Sequence, residues 1–166
     1  MAEAWAQNMT GGMTSANVTA ANTAVGNFFI VNDILHTLPI NPLVQNSGTA
    51  VGVDQYMRNY GMAVAAISQE ASTLGMPHSS GMVTAMMKDA SDGVMNGMMG
   101  GSPISMNGMG GSGMMMGNMQ STAGTSGLAT SMETFISHAS SNKSGLTMTD
   151  MNALFTKLNG SNGTIQ

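Results

Sequence analysis

The chain has 166 residues, a net charge of −4 and charged side chains at only 7 % of its positions, where globular proteins carry roughly 25 %. Four scattered basic residues neutralise few phosphates, so nucleic acid is excluded as a partner. The absence of cysteine excludes disulfides, thiolate zinc sites, iron–sulfur clusters and c-type haem attachment.

One domain is expected from this length. No run of about 18 apolar residues offers a membrane span. Met1-Ala-Glu-Ala-Trp5 has neither the basic start nor the apolar stretch of a signal peptide. Weak charge also means weak repulsion between copies, which lets apolar patches associate.

In chain order, residues 1–17 are small, polar and glycine-broken and are expected to be a flexible lead-in, followed by a helical domain over 18–159 and a tail at 160–166. Ala21, Ala24, Phe28, Val31, Leu35 and Leu38 follow a 3-4 spacing that predicts a first helix. Pro39 and Pro42 would end it, because proline lacks the N–H and restricts its predecessor. Asp54 is a predicted N-cap for a second helix carrying Met57, Tyr60, Val64, Ile67, Ala71 and Leu74, with Gly75 as its C-terminal stop. The first two helices are expected to pack together, burying Phe28, Leu35, Val64, Ile67 and Leu74.

A third helix is predicted from Ser79 or Ser80, with Val83, Met87, Ala90 and Val94 on one face, dissolving at Asp92-Gly93. A fourth carries Leu128, Met132, Phe135 and Ala139. A fifth carries Met151, Leu154 and Leu158, with Thr147 and Asp150 spaced like a capping box. No strand alternation is visible. The expected fold is all-α, a small bundle of about five helices with one long Met/Gly-rich loop over 93–125.

That loop is the most distinctive part of the sequence. Met82 to Met119 holds twelve of the 21 methionines, and no Asp, Glu, Lys or Arg stands between Gly93 and Met132. Thioethers either fill irregular apolar gaps or bind soft metals such as Cu(I) and Ag(I). The candidate metal set is Met95, Met98, Met99, Met114, Met115, Met116 and Met119, joined by His78 from Met76-Pro77-His78; Met106 and Met109 repeat the same short spacings. The competing expectation is that these methionines pack against helices or a neighbouring molecule. Left in water the tract would expose an apolar patch that soluble monomers avoid.

Other motifs carry less. Asp89-Ala-Ser-Asp92-Gly93-Val-Met-Asn96-Gly97 resembles a calcium loop, but lacks the alternate-position ligands and the twelfth-position Glu; a helix end turning through Gly93 is the simpler expectation. His36, His78 and His138 lie far apart and form no triad or zinc pattern. His36 is expected to cap carbonyls at the end of the first helix, and Asp33 and Glu70 to stand alone on polar faces. Asn-x-Ser/Thr triplets at Asn8, Asn17, Asn142 and Asn162 are what chance yields in an Asn- and Thr-rich chain. No catalytic arrangement or resident cofactor is expected.

Several phrases together carry a resemblance. They are Val25-Gly-Asn-Phe-Phe-Ile-Val-Asn-Asp-Ile-Leu-His-Thr-Leu-Pro-Ile-Asn-Pro42, Tyr60-Gly-Met-Ala-Val-Ala-Ala-Ile-Ser-Gln-Glu-Ala71, Met82-Val-Thr-Ala-Met-Met-Lys-Asp-Ala-Ser-Asp-Gly93 and Ser126-Gly-Leu-Ala129. Through them, residues 18 to 159 resemble the helical, Met/Gly-rich region of large surface lipoproteins of metal-reducing bacteria. In those proteins the region follows immunoglobulin-like or carboxypeptidase-regulatory-like β-modules. The resemblance implies export and a cell-surface or extracellular setting. Lacking a β-module and a lipid-anchoring cysteine, the chain is expected to be a fragment or cleaved product of a longer precursor. The expected function is an extracellular structural or adhesive module associating with itself, or with other surface proteins and filaments, through Met-rich apolar surface. Soft-metal binding is the alternative.

Overall fold

The computed structural model describes residues 1–109 and 115–165. Among the described residues the protein is predominantly helical, with six α-helices and one two-stranded sheet. The helices are α1 (Ala2–Asn8), α2 (Ser15–Phe28), α3 (Gln55–Thr73), α4 (Ser80–Asp89), α5 (Ser126–Ser137) and α6 (Asn152–Gly160). No helix is long and apolar enough to cross a membrane, among the described residues.

The first residues, expected to be flexible, form α1. It holds because Ala6 is fully buried and the Trp5 ring lies over Gly93, where any side chain would collide with the indole. α2 begins at the N-cap Thr14, whose hydroxyl accepts the Asn17 N–H.

α2 then stops at Phe28, well short of the prolines. Ile30 adopts a left-handed φ of 53°, and two reversed bonds close the turn: Ile30 N–H to the Asn27 carbonyl and Val31 N–H to the Gly26 carbonyl. This is the Schellman pattern, with isoleucine where glycine is usual. Gly26 leaves room for it, since a Cβ there would stand 2.5 Å from the Val31 carbonyl oxygen. Asn59, buried on α3, donates to the Ile30 carbonyl at 2.8 Å. The expected first-helix face is therefore cut in two, with Val31 buried and Leu35 and Leu38 exposed.

α3 is capped as predicted: the Asp54 carboxylate accepts the Met57 N–H at 2.9 Å, and Gly75 has a φ of 75°. Its packing differs from expectation. α3 lies chiefly against α5 and α4, whereas α2 lies against α1. The buried stripe is Asn59, Met62, Ala63, Ala66 and Glu70, while Val64 and Leu74 face outward and Ile67 is half-buried. Small residues bring neighbours close. At Gly61 a Cβ would collide with the Ile40 backbone, so residues 39–42 cross the helix there, tied by Ile40 N–H to the Met57 carbonyl.

On α4 the inner face is Met82, Ala85, Met86 and Asp89, and the predicted Val83 and Met87 are exposed. α5 and α6 pack together and bury Leu128, Met132, Phe135, Met151, Leu154 and Leu158 as the spacing predicts; Ala139 lies past α5 and is exposed. The Asp150 carboxylate accepts both the N–H and the hydroxyl of Thr147, which holds the turn ahead of α6. The last described residues are built into the fold rather than hanging from it. Val94 and Thr164 form a β-bridge, and Ile165 is buried.

Candidate functional site

Three features carry chemistry: the methionine tract, two buried carboxylates, and an apolar face along α3.

The tract is folded where it is described. Asp89, fully buried, accepts the N–H groups of Asn96 and Gly97 at 2.9 and 2.7 Å. Asp92 accepts those of Val94 and Gly100. The calcium-like spacing thus serves as a loop clamp, with backbone donors where a cation would sit. Beyond it, β1 (Met98–Met99) pairs antiparallel with β2 (Ser102–Pro103). Gly100 and Gly101, both at positive φ, make the two-residue turn that such a hairpin requires. A second ladder follows, with Met106 N–H to the Gly117 carbonyl and Met119 N–H to the Ile104 carbonyl, both 2.8 Å.

This geometry divides the predicted metal set. Met95 and Met119 are core residues, as are Met106, Met62, Met76, Met82, Met86, Met132 and Met151. The Met95 side chain packs against Gly124, where a Cβ would overlap it. Met98 and Met116 are half-buried, while Met99 and Met115 are 48 % and 92 % exposed. Met114 lies outside the described residues. His78 is exposed in the connection between α3 and α4. Much of the methionine content therefore fills the interior, the use to which an unbranched, adaptable side chain is suited.

Two carboxylates were not legible as special. Glu70, expected on a polar face, is buried on α3, with Oε2 unpartnered among the described residues. Its other oxygen stands 3.6 Å from where a Gly127 Cβ would project in the first turn of α5. Burial pushes its carboxyl up to about 8. Burial also raises Asp89, to about 6, against the pull of its backbone donors; among the described residues its Oδ2 is unpartnered too. His36 does not cap a helix: its Nδ1 lies 2.7 Å from the Asp33 carboxylate on the surface, and this bond holds Asp33 below the usual range. His138 sits at the C-cap of α5, with its Nδ1 bonded to the Thr134 carbonyl.

The apolar face arises from the exposed side of α3. Val64 and Ser68 form a ridge between two clefts. One, about 430 Å³, is walled by Pro39 to Leu43, Gly61 and Phe135. The other, about 450 Å³, is walled by Phe29, Val31, Ile34, Leu35, Tyr60 and Val83. Glu3 is the only charged side chain among the residues lining the two. Leu35 is 67 % exposed, Leu43 64 % and Val64 49 %, with Val83 and Met87 close behind. Sequence periodicity assigns Leu35 and Val64 to the core, and that error conceals the face.

Compared with known protein families, curated proteins and solved structures, the sequence matches none.

Proposed function

We propose that the protein is a structural and adhesive module of the cell surface or extracellular space, a small helical bundle that associates through its apolar face with copies of itself or with other surface proteins and filaments. The observation that carries this reading is the pair of clefts flanking Val64, with exposed Leu35, Leu43, Val83 and Met87 around them and one charged side chain on their walls. Exposed apolar side chains gathered on one face are a common feature of interaction sites. The scarcity of charge supports the same reading, because little electrostatic repulsion opposes contact between copies. The resemblance to surface lipoproteins of metal-reducing bacteria supports the extracellular setting and an origin in a longer precursor.

The mode of association differs from one driven by the methionine tract alone. Many of those thioethers are occupied in the core, so the proposed surface is mainly Leu, Val and Ile, with Met87 at its edge. Val64→Asp combined with Leu35→Asp tests it. Both positions are exposed, so the fold is expected to survive while association is lost. Unchanged association of the folded double variant contradicts the proposal.

Soft-metal capture is the second reading. Its support is that Met99 and Met115 present thioethers to solvent while Met98 and Met116 stand half-buried beside them in sequence. Replacing these four with leucine keeps bulk and removes the soft ligand. The reading requires that the wild type compete with a Cu(I) chelator and that the variant not do so; equal competition by both contradicts it.

A further inference from the structure

Four Asn-Gly pairs occur in the sequence, at 96–97, 107–108, 159–160 and 162–163. Such a pair carries its own chemistry. The glycine backbone nitrogen attacks Cγ of the asparagine; a new bond forms between that nitrogen and Cγ, the bond from Cγ to Nδ2 breaks, and ammonia leaves with the proton of the attacking nitrogen. Water then opens the cyclic imide to aspartate or isoaspartate. Attack requires a nitrogen not engaged elsewhere and a backbone able to turn toward the asparagine amide, which glycine alone permits easily.

The fold treats the four pairs unequally. The Gly97 N–H is held by the buried Asp89 carboxylate at 2.7 Å. The Gly163 N–H is held by the Ser161 hydroxyl at 3.0 Å, and Gly163 is buried. Asn159 and Gly160 are the last residues of α6, whose backbone directs the nitrogen away from the preceding asparagine amide. Gly108 is exposed at a φ of 80°, with no atom within 4 Å of where a Cβ would stand. Its N–H has no acceptor among the described residues.

Asn107 is also set up as the electrophile. Its Oδ1 accepts the backbone N–H groups of Met116 at 3.0 Å and Gly117 at 3.2 Å. As the nitrogen of Gly108 adds to Cγ, negative charge develops on that oxygen, where two fixed donors stabilise it as an oxyanion hole does. We infer that Asn107-Gly108 is a self-modification site, converting to aspartate and isoaspartate in the folded protein while the other three pairs are protected by their hydrogen bonds and helix.

The consequence is local and structural. Isoaspartate inserts a methylene into the backbone next to the ladder that seats Met106 and Met119 in the core. Either product also places a carboxylate in a stretch, Gly93 to Met132, that has no acidic or basic residue. The test is incubation of the folded protein at mildly alkaline pH, followed by peptide mass mapping that separates isoaspartate from aspartate. Conversion at Asn107 is expected to run at least about tenfold faster than at the other three pairs, which react only through local opening. In urea the four rates converge, and the rate at Asn107 in the folded protein equals or exceeds its urea value. Asn107→Ser removes the fast phase and leaves the slow ones. Equal rates at all four sites in the folded protein, or a rate at Asn107 lower in the folded protein than in urea, overturns the inference.

Discussion

Glu70 sets the pH behaviour. Its carboxyl is raised from an ordinary 4.5 to about 8 by burial. Below pH 4.5 it is protonated in both the folded and the unfolded protein and has no effect on stability. Between 4.5 and 8 the unfolded state ionises while the folded one keeps its proton, so stability is lost as pH rises through that window. Asp89 adds the same sign between its ordinary 3.8 and about 6. Denaturation midpoints are therefore expected to fall from pH 5 to pH 8, and Glu70→Gln to flatten much of that fall. A midpoint that rises with pH over this range contradicts the assignment. Asn59 is the second decisive residue, bonding both the Ile30 carbonyl and the Gln55 amide. Asn59→Ala orphans that carbonyl beside a left-handed isoleucine and is expected to cost about 1–3 kcal/mol by urea unfolding.

Among the elements, the positions of α3 and α6 were legible because local signals mark their ends: Asp54 caps α3, Gly75 follows it at positive φ, and Thr147 and Asp150 bond ahead of α6. The end of α2 was not. Its stop depends on Ile30 in a conformation that favours glycine, held by Asn59 from a distant helix, and nothing local announces it. The face of α3 is hard to read because hydropathy favours Val64 and Leu74, whereas close approach at Gly61 and Ala66 favours a stripe of small residues. The same conflict hides the candidate site, which consists of side chains that periodicity assigns to the core. The methionine tract reads as an unusually long loop; its order comes from the buried Asp89, glycine turns, a short hairpin and a second ladder that pairs Ile104 and Met106 with Gly117 and Met119. Met95→Ala tests this order. If the tract is core, the change costs about 2–5 kcal/mol; an unchanged urea midpoint would place the tract outside the cooperative unit.

At the scale of the whole molecule, interior and surface divide the apolar residues in an unusual way. Methionine and alanine fill much of the core, while Leu35, Leu38, Leu43, Val44 and Val64 stand outside. Methionine tolerates irregular packing around close-set backbones and shares the interior with Leu128, Leu154 and Leu158, while the proposed contact face is mainly leucine and valine. Oxidation separates these two roles. Exposed Met115, Met13 and Met99 are expected to form sulfoxides first under mild peroxide, with the fold and the leucine–valine face intact. Oxidation of Met95 or Met119 is expected only after unfolding, as peptide mapping would show. Sedimentation velocity of the native protein across a concentration series is the most direct test of the face as an association surface. Weight-average mass is expected to rise with concentration for the wild type and to stay at the monomer value for Val64→Asp/Leu35→Asp. A wild type that remains a single monomeric species at the highest concentrations contradicts self-association through this face.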